Sequence, residues 1–178
     1  LTCGCTVILK PAEDTPLTAL YLARLCREVG FPKGVVNVIT GTGPDVGAPL
    51  SGHPNINKVA FTGSTATGQA IGHAAIDNMT RFSLETGGKS PVLVLEDIDP
   101  DFLSPNAAMA TLFNSGQQCV AGSRLYLPKK RYDQYMDRLL DMAFWLKTGS
   151  GFDRTVHLGP MVSKEHMDRV MGFIERSA

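Results

Sequence analysis

Cys119 stands in Phe113-Asn114-Ser115-Gly116-Gln117-Gln118-Cys119-Val120-Ala121-Gly122-Ser123-Arg124, a polar, glycine-rich stretch between a helical pattern and a strand pattern. Gly116 and Gly122 let the backbone approach closely, so free N–H groups near the sulfur can stabilise both a thiolate and an oxyanion. The ordinary alternative is a buried structural cysteine. Glu85 ends a strand pattern just before Gly87-Gly88, where a carboxylate can be held at the mouth of a cleft and act as a general base; a strand-end glutamate facing water is the alternative. Phe61-Thr62-Gly63-Ser64-Thr65-Ala66-Thr67-Gly68 follows a strand and opens a helix. Its N–H groups and the Ser64 hydroxyl are placed for an anion at the positive end of the helix dipole, or for a plain helix cap. It is neither a Walker loop, since Gln69 stands where lysine would follow the second glycine, nor the G-x-G-x-x-G fingerprint. Lys10 and Glu13 flank the loop after the first strand, where an open parallel sheet binds ligands. A carboxylate there accepts ribose hydroxyls and repels a 2′-phosphate, favouring NAD over NADP; a solvated pair at a loop edge is the alternative.

The elements that must position these residues alternate between short β-branched runs and helical patterns, the habit of parallel strands joined by crossover helices. Strands are predicted over Thr6–Leu9, Val35–Thr40, Lys58–Phe61, Arg81–Glu85, Pro91–Leu95 and Arg124–Leu127. The nearly continuous apolar run of Pro91–Leu95 predicts a strand covered on both faces. Helices are predicted over Thr18–Val29, with Leu22, Leu25, Cys26 and Val29 on one face and Gly30 stopping it, then briefly over Asp45–Ser51, and over Ala66–Ala75 and Asp101–Phe113. Lys130–Lys147 carries an apolar stripe of Tyr132, Tyr135, Leu139, Met142, Ala143 and Leu146, and a last helix starts near Ser163. Gly41-Thr42-Gly43 reads as a loop, with a phosphate cradle as the alternative. The Gly87–Ser90 junction is the expected domain boundary, dividing residues 1–87 from 88–178.

Composition narrows the function classes. The chain has 178 residues, 17 basic and 17 acidic side chains and no formal net charge, so it lacks the basic footprint of a nucleic-acid binder. No apolar run reaches the ~18 residues of a membrane span, so no membrane partner is expected. The chain opens on Leu1 without a secretory pattern. Four unevenly spaced cysteines, Cys3, Cys5, Cys26 and Cys119, do not make a disulfide framework, and a reducing, cytoplasmic setting fits them. Cys3 and Cys5 have no histidine nearby and read as packed beside a strand rather than as a zinc site.

Taken together, five blocks resemble the aldehyde dehydrogenase superfamily: Lys10-Pro11-Ala12-Glu13-Asp14-Thr15-Pro16-Leu17; Gly30-Phe31-Pro32 with Gly34-Val35-Val36-Asn37; Phe61-Thr62-Gly63-Ser64; Leu84-Glu85-Thr86-Gly87-Gly88-Lys89-Ser90-Pro91; and Gly116-Gln117-Gln118-Cys119 through Gly122-Ser123-Arg124. The blocks keep the family's order, and Cys119 lies 34 residues beyond Glu85, similar to the family's spacing of general base and nucleophile. The resemblance implies an α/β fold, a Rossmann-like open parallel sheet of the cofactor domain followed by the start of a second α/β catalytic domain. It implies that the Cys119 thiolate attacks an aldehyde, that hydride passes to NAD (or NADP), and that water activated by Glu85 hydrolyses the thioester to a carboxylic acid. Gly63, Ser64 and Gly68 match the segment beside the pyrophosphate, and Lys10 and Glu13 match contacts to the adenine-side ribose.

Thr86 replaces the leucine common in the Glu-Leu-Gly-Gly-Lys block, and Gln118 and Val120 flank the nucleophile where relatives vary. Phe113 and Val120 suggest an apolar substrate lining. Glu85 points to the hydrolytic rather than the CoA-acylating kind. The resemblance further implies that the chain is the middle of such an enzyme, whose parent is a homodimer or homotetramer. The family's oxyanion-hole asparagine would fall before Leu1, and its ribose-binding glutamate and oligomerisation arm after Ala178, so little activity is expected of the chain by itself. A non-catalytic nucleotide-binding or structural fragment is the competing reading; a thiol peroxidase is weaker, because no resolving cysteine neighbours Cys119.

Overall fold

A computed structural model describes residues 1–177. The chain divides into two compact units, Leu1–Glu85 and Thr86–Ala178. The joint falls just ahead of the Gly87–Ser90 run. The architecture is α/β, and its hydrogen-bonded strands come in three two-stranded pairs rather than one continuous sheet.

In the first unit, β1 (Val7–Leu9) pairs in parallel with β2 (Val36–Val38), placing Val7 opposite Val36 and Leu9 opposite Val38. The crossover is α1 (Leu17–Glu28). It stops at Gly30, whose φ of +86° puts it in the left-handed region that glycine enters without Cβ strain. The Gly30 N–H donates to Arg27 O at 3.2 Å and the Phe31 N–H to Cys26 O at 3.0 Å, a Schellman closure that satisfies the last carbonyls. The buried face of α1 differs from the expected one. Ala19, Ala23 and Cys26 are half-buried, while Leu22, Leu25 and Val29 are exposed, because the helix lies on its small residues.

A π-helical turn, Gly43–Gly47, runs into α2 (Ala48–Ser51). Then β3 (Lys58–Gly63) pairs with β4 (Arg81–Thr86) across the helix α3 (Thr65–Asp77). Gly68, Gly72 and Ala75 are the buried residues of α3. A Cβ on Gly72 would lie 3.6 Å from the Phe82 ring and 3.9 Å from Leu84 Cδ1, so a stripe of small residues brings this helix close to the strand.

In the second unit, β5 (Pro91–Leu93) pairs in parallel with β6 (Arg124–Tyr126). The helices α4 (Pro100–Leu112) and α5 (Tyr132–Trp145) pack on that pair, and α6 (Lys164–Ser177) ends the described chain. Val94, Leu103, Ala107 and the fully buried Tyr135 form the core, flanked by Val92, Ile98, Leu125, Leu127 and Leu139. The Tyr135 hydroxyl donates to Ile98 O at 2.8 Å, so burial leaves no orphaned polar atom there.

Two faces of the second unit also differ from the expected ones. On the β5 run only the Val92/Val94 side is covered; Leu93 and Leu95 are 70% and 66% exposed. An apolar run cannot by itself say how many layers cover it. On α5, Tyr132 and Ala143 are exposed and Met136 is half-buried instead, because the α4 contact is narrower than the predicted stripe. Among the described residues no helix is long and apolar enough to cross a membrane.

Candidate active site

Hydrogen bonds to three backbone carbonyls fix the position of the cysteine loop in the second unit. The Gly122 N–H donates to Ala110 O at 2.9 Å, Thr111 Oγ1 donates to Gly122 O at 3.0 Å, and the Arg124 guanidinium grips Lys89 O through both Nε, at 2.8 Å, and Nη2. Gly122 is buried, and a Cβ there would come within 2.4 Å of Val92 Cγ2, a branched side chain that cannot swing aside. Gly122→Ala is therefore expected to destabilise the second unit by about 1–3 kcal/mol, measured as a lower urea midpoint at unchanged slope.

Between these anchors the chain turns sharply. Asn114, Ser115 and Gly116 all have left-handed dihedrals, with φ of +52°, +57° and +73°. For a serine that conformation costs ~1–2 kcal/mol and persists only where neighbours enforce it. Ala121 N–H then donates to Gln118 O at 3.3 Å, which closes a turn with Cys119 and Val120 at its crest. Cys119 is a free thiol and exposed, not the buried packing residue that is the commoner case. Among the described residues, nothing accepts the Cys119 N–H. A donor left open next to a thiol is what a tetrahedral oxyanion requires. A Cβ on Gly88 would sit 3.4 Å from Cys119 O, so the Gly-Gly pair lets the strand entry lie against this loop.

Glu85 is the penultimate residue of β4 and is exposed, at the end of the first unit.

In the first unit, Lys10 and Glu13 meet at the carboxyl ends of β1 and β2. Lys10 Nζ lies 3.1 Å from Glu13 Oε1 and donates also to Pro11 O at 2.9 Å. Hydrogen bonds from Glu13's own backbone N–H and from Lys10 hold the Glu13 carboxyl below the usual carboxylate range. A depressed folded value means that the interaction is present above the ordinary glutamate range and is lost as pH falls through the lowered one, so Glu13 is ionised at neutral pH. Glu13 lines a hollow of about 200 Å³ together with Pro11, Ala12, Pro16, Thr40, Gly41 and Thr42. Gly41 and Thr42, of the step that reads as a loop in the sequence, thus line the hollow directly after a parallel strand, with Thr40 beside them.

At the start of α3, Ser64 Oγ accepts the Thr67 N–H at 3.2 Å and shares a 2.8 Å hydrogen bond with Thr67 Oγ1. Ser64 is thus the cap of α3, and the N–H groups of Thr65 and Ala66, in the first turn, have no partners within the helix. Gly63 sits under the Phe61 ring, whose Cζ would be 2.5 Å from an added Cβ. Gly68 is buried in the first turn of the helix, its N–H donating to Ser64 O at 2.9 Å.

Cys3 and Cys5 are exposed rather than packed beside a strand, because they lie in a turn around Gly4 that precedes β1 and is covered by no element.

A phenylacetaldehyde dehydrogenase of Pseudomonas fluorescens is 51% identical over 174 residues, 98% of this chain and 35% of that protein. Retinaldehyde dehydrogenase 3 of Mus musculus is 47% identical over 176 residues, 98% of this chain and 34% of its own length. An aldehyde dehydrogenase of Bacillus cereus, solved in complex with NAD+, superposes with a TM-score of 0.94 at 46% identity, covering 97% of this chain and 35% of that one. The chain thus spans about a third of the length of the relatives it matches. The model of the aldehyde dehydrogenase family matches residues 1–178, and the chain belongs to that family.

Proposed function

We propose that this chain carries the cofactor cradle and the catalytic cysteine of an NAD-dependent aldehyde dehydrogenase that converts an aldehyde and water to a carboxylic acid. The observation that carries this reading is Cys119, exposed at the crest of a tight turn with its own N–H open beside it.

The first-unit residues fit a dinucleotide. Glu13, ionised and beside Lys10, suits the two hydroxyls of the adenine-side ribose, over the hollow that Thr40–Thr42 complete. Gly63, Ser64 and the first-turn N–H groups of α3 suit the pyrophosphate, with Gly68 letting the helix pack close behind them. Bound NAD supplies the hydride acceptor. The carboxylate at residue 13 disfavours a 2′-phosphate. Glu13→Gln is therefore expected to lower the KM for NADP+ about tenfold relative to that for NAD+, the size of a screened charge repulsion of ~1.4 kcal/mol. Initial rates with the two cofactors check it.

The thiolate of Cys119 adds to the aldehyde carbon, and the Cys119 N–H takes the developing oxyanion. Loss of hydride from that carbon leaves an acyl thioester on Cys119. Glu85 accepts a proton from water, the water oxygen attacks the thioester, the C–S bond breaks, and the acid leaves with the thiol restored. Phe113 and Val120, both exposed in the nucleophile segment, offer contact to an apolar aldehyde body. Residues 1–87 form the cofactor portion and 88–178 the catalytic portion of a homodimeric or homotetrameric cytoplasmic enzyme, with no nucleic-acid or membrane partner.

The test is protection. In the protein made from its complete reading frame, NAD+ with phenylacetaldehyde as a probe is expected to slow iodoacetamide alkylation of Cys119 severalfold while leaving Cys3 and Cys5 unaffected. Alkylation of Cys119 at the same rate with and without these ligands would favour a non-catalytic module instead.

A further inference from the structure

The nucleophile segment is held in its left-handed turn by two side chains that take no part in the chemistry above. Ser115 and Gln117 are both half-buried. Ser115 Oγ donates to Gly159 O at 2.9 Å. Gln117 uses both ends of its amide. Nε2 donates to Asn114 O at 3.2 Å and to Pro160 O at 3.4 Å, while Oε1 accepts the Val162 N–H at 2.9 Å. The Asn114 amide returns a hydrogen bond to Gln117 O at 3.3 Å. Gln117 therefore joins the strained residues Asn114 and Ser115 to the separate backbone segment 159–162, two residues before the thiol.

Serine in the left-handed region relaxes unless its surroundings over-determine it. Here the tethers to the 159–162 segment are this one amide and the Ser115 hydroxyl, while within the turn Asn114 and Gln117 also bond to each other through the Asn114 amide and the Gln117 N–H. Release of either tether would let residues 114–116 return to extended or right-handed backbone, and the turn that follows would rotate with them. Cys119 Sγ and its open N–H would then lose their mutual orientation.

We propose that Gln117 is the positioning residue of the nucleophile, its amide clamping the Cys119 turn onto the Gly159–Val162 segment. This rests on the reading of Cys119 as nucleophile. The amide's polarity is specific: an acceptor is needed towards Val162 and donors are needed towards Asn114 and Pro160. Gln117→Glu keeps the size and the acceptor but turns a carboxylate towards two carbonyl oxygens, and protonation of that carboxylate restores one donor.

The experiment compares wild type, Gln117→Leu, Gln117→Glu and Cys119→Ser in the protein made from its complete reading frame, with phenylacetaldehyde and NAD+ as probes. Gln117→Leu is expected to lower kcat about 10- to 100-fold with KM for the aldehyde within about twofold, since it misplaces the attacking atom rather than removing a binding contact. In the same variant, iodoacetamide labelling of Cys119 is expected to slow relative to Cys3 and Cys5, which serve as internal standards; loss of the fold would instead bring the three rates together. For Gln117→Glu, activity as a fraction of wild type is expected to rise as pH is lowered from 8 towards 5. Should Gln117→Leu fail to fold, the pH dependence of Gln117→Glu decides alone. Wild-type kcat in Gln117→Leu, or a flat ratio in Gln117→Glu, overturns the clamp when Cys119→Ser is inactive. Full activity in Cys119→Ser would overturn the reading of the nucleophile itself, and the clamp with it.

Discussion

In the protein made from its complete reading frame, Cys119→Ser is expected to cut aldehyde-dependent NADH formation by on the order of 10⁴-fold or more, because a serine hydroxyl is a poor nucleophile without a neighbouring base and a thiolate is a strong one. The substitution changes one exposed atom on a turn whose backbone is held by Gly122, Thr111 and Arg124, so folding should be unaffected. No other thiol belongs to the second unit, since Cys3, Cys5 and Cys26 all precede Thr86. Absorbance at 340 nm measures the loss, and an unfolding curve superposable on wild type shows that chemistry rather than stability was removed. A variant that still turns over at the parental rate would remove the basis for the proposed reaction.

Glu85→Gln is expected to separate the two halves of that reaction. Attack by Cys119 and transfer of hydride need no carboxylate at residue 85, so a first burst approaching one NADH per Cys119 should persist. Hydrolysis of the thioester needs water to be deprotonated, and steady-state turnover should fall about 10²- to 10⁴-fold, the usual contribution of a positioned general base. Stopped-flow measurement resolves the burst, and trapped acyl enzyme should appear by mass spectrometry at Cys119. The slow phase should recover in part as pH is raised, because hydroxide replaces the missing base. A proportional loss of burst and steady state would instead place Glu85 in the first half-reaction. Its location at the end of β4, exposed, makes the isosteric amide a mild change for the fold.

Much of the local architecture was legible because it depends on neighbours in sequence. The stop of α1 at Gly30 needs only a residue free to adopt positive φ, and the opening of α3 at Ser64 needs only a short hydroxyl before a helical run. The five family blocks were legible for the same reason, since each is contiguous. Burial was less so. Leu93 and Leu95 read as covered and are exposed, and Cys3 and Cys5 read as packed and are not, because coverage depends on what other elements lie above a face.

The amino-acid sequence by itself determined which residues can do chemistry: a thiol among glycines, a carboxylate at a strand end, a lysine and a glutamate three residues apart after a parallel strand. It could do so because reactivity resides in side-chain type and short spacing. Only the tertiary structure decided that Glu13 shares a hollow with Thr40–Thr42, that Gly122 must lack a side chain because Val92 occupies the space, and that Gln117 reaches across to residues 160 and 162. Those contacts join positions about 30 to 45 apart in the chain, set by how strands and loops close on one another, and no local pattern encodes which distant backbone group a side chain will meet.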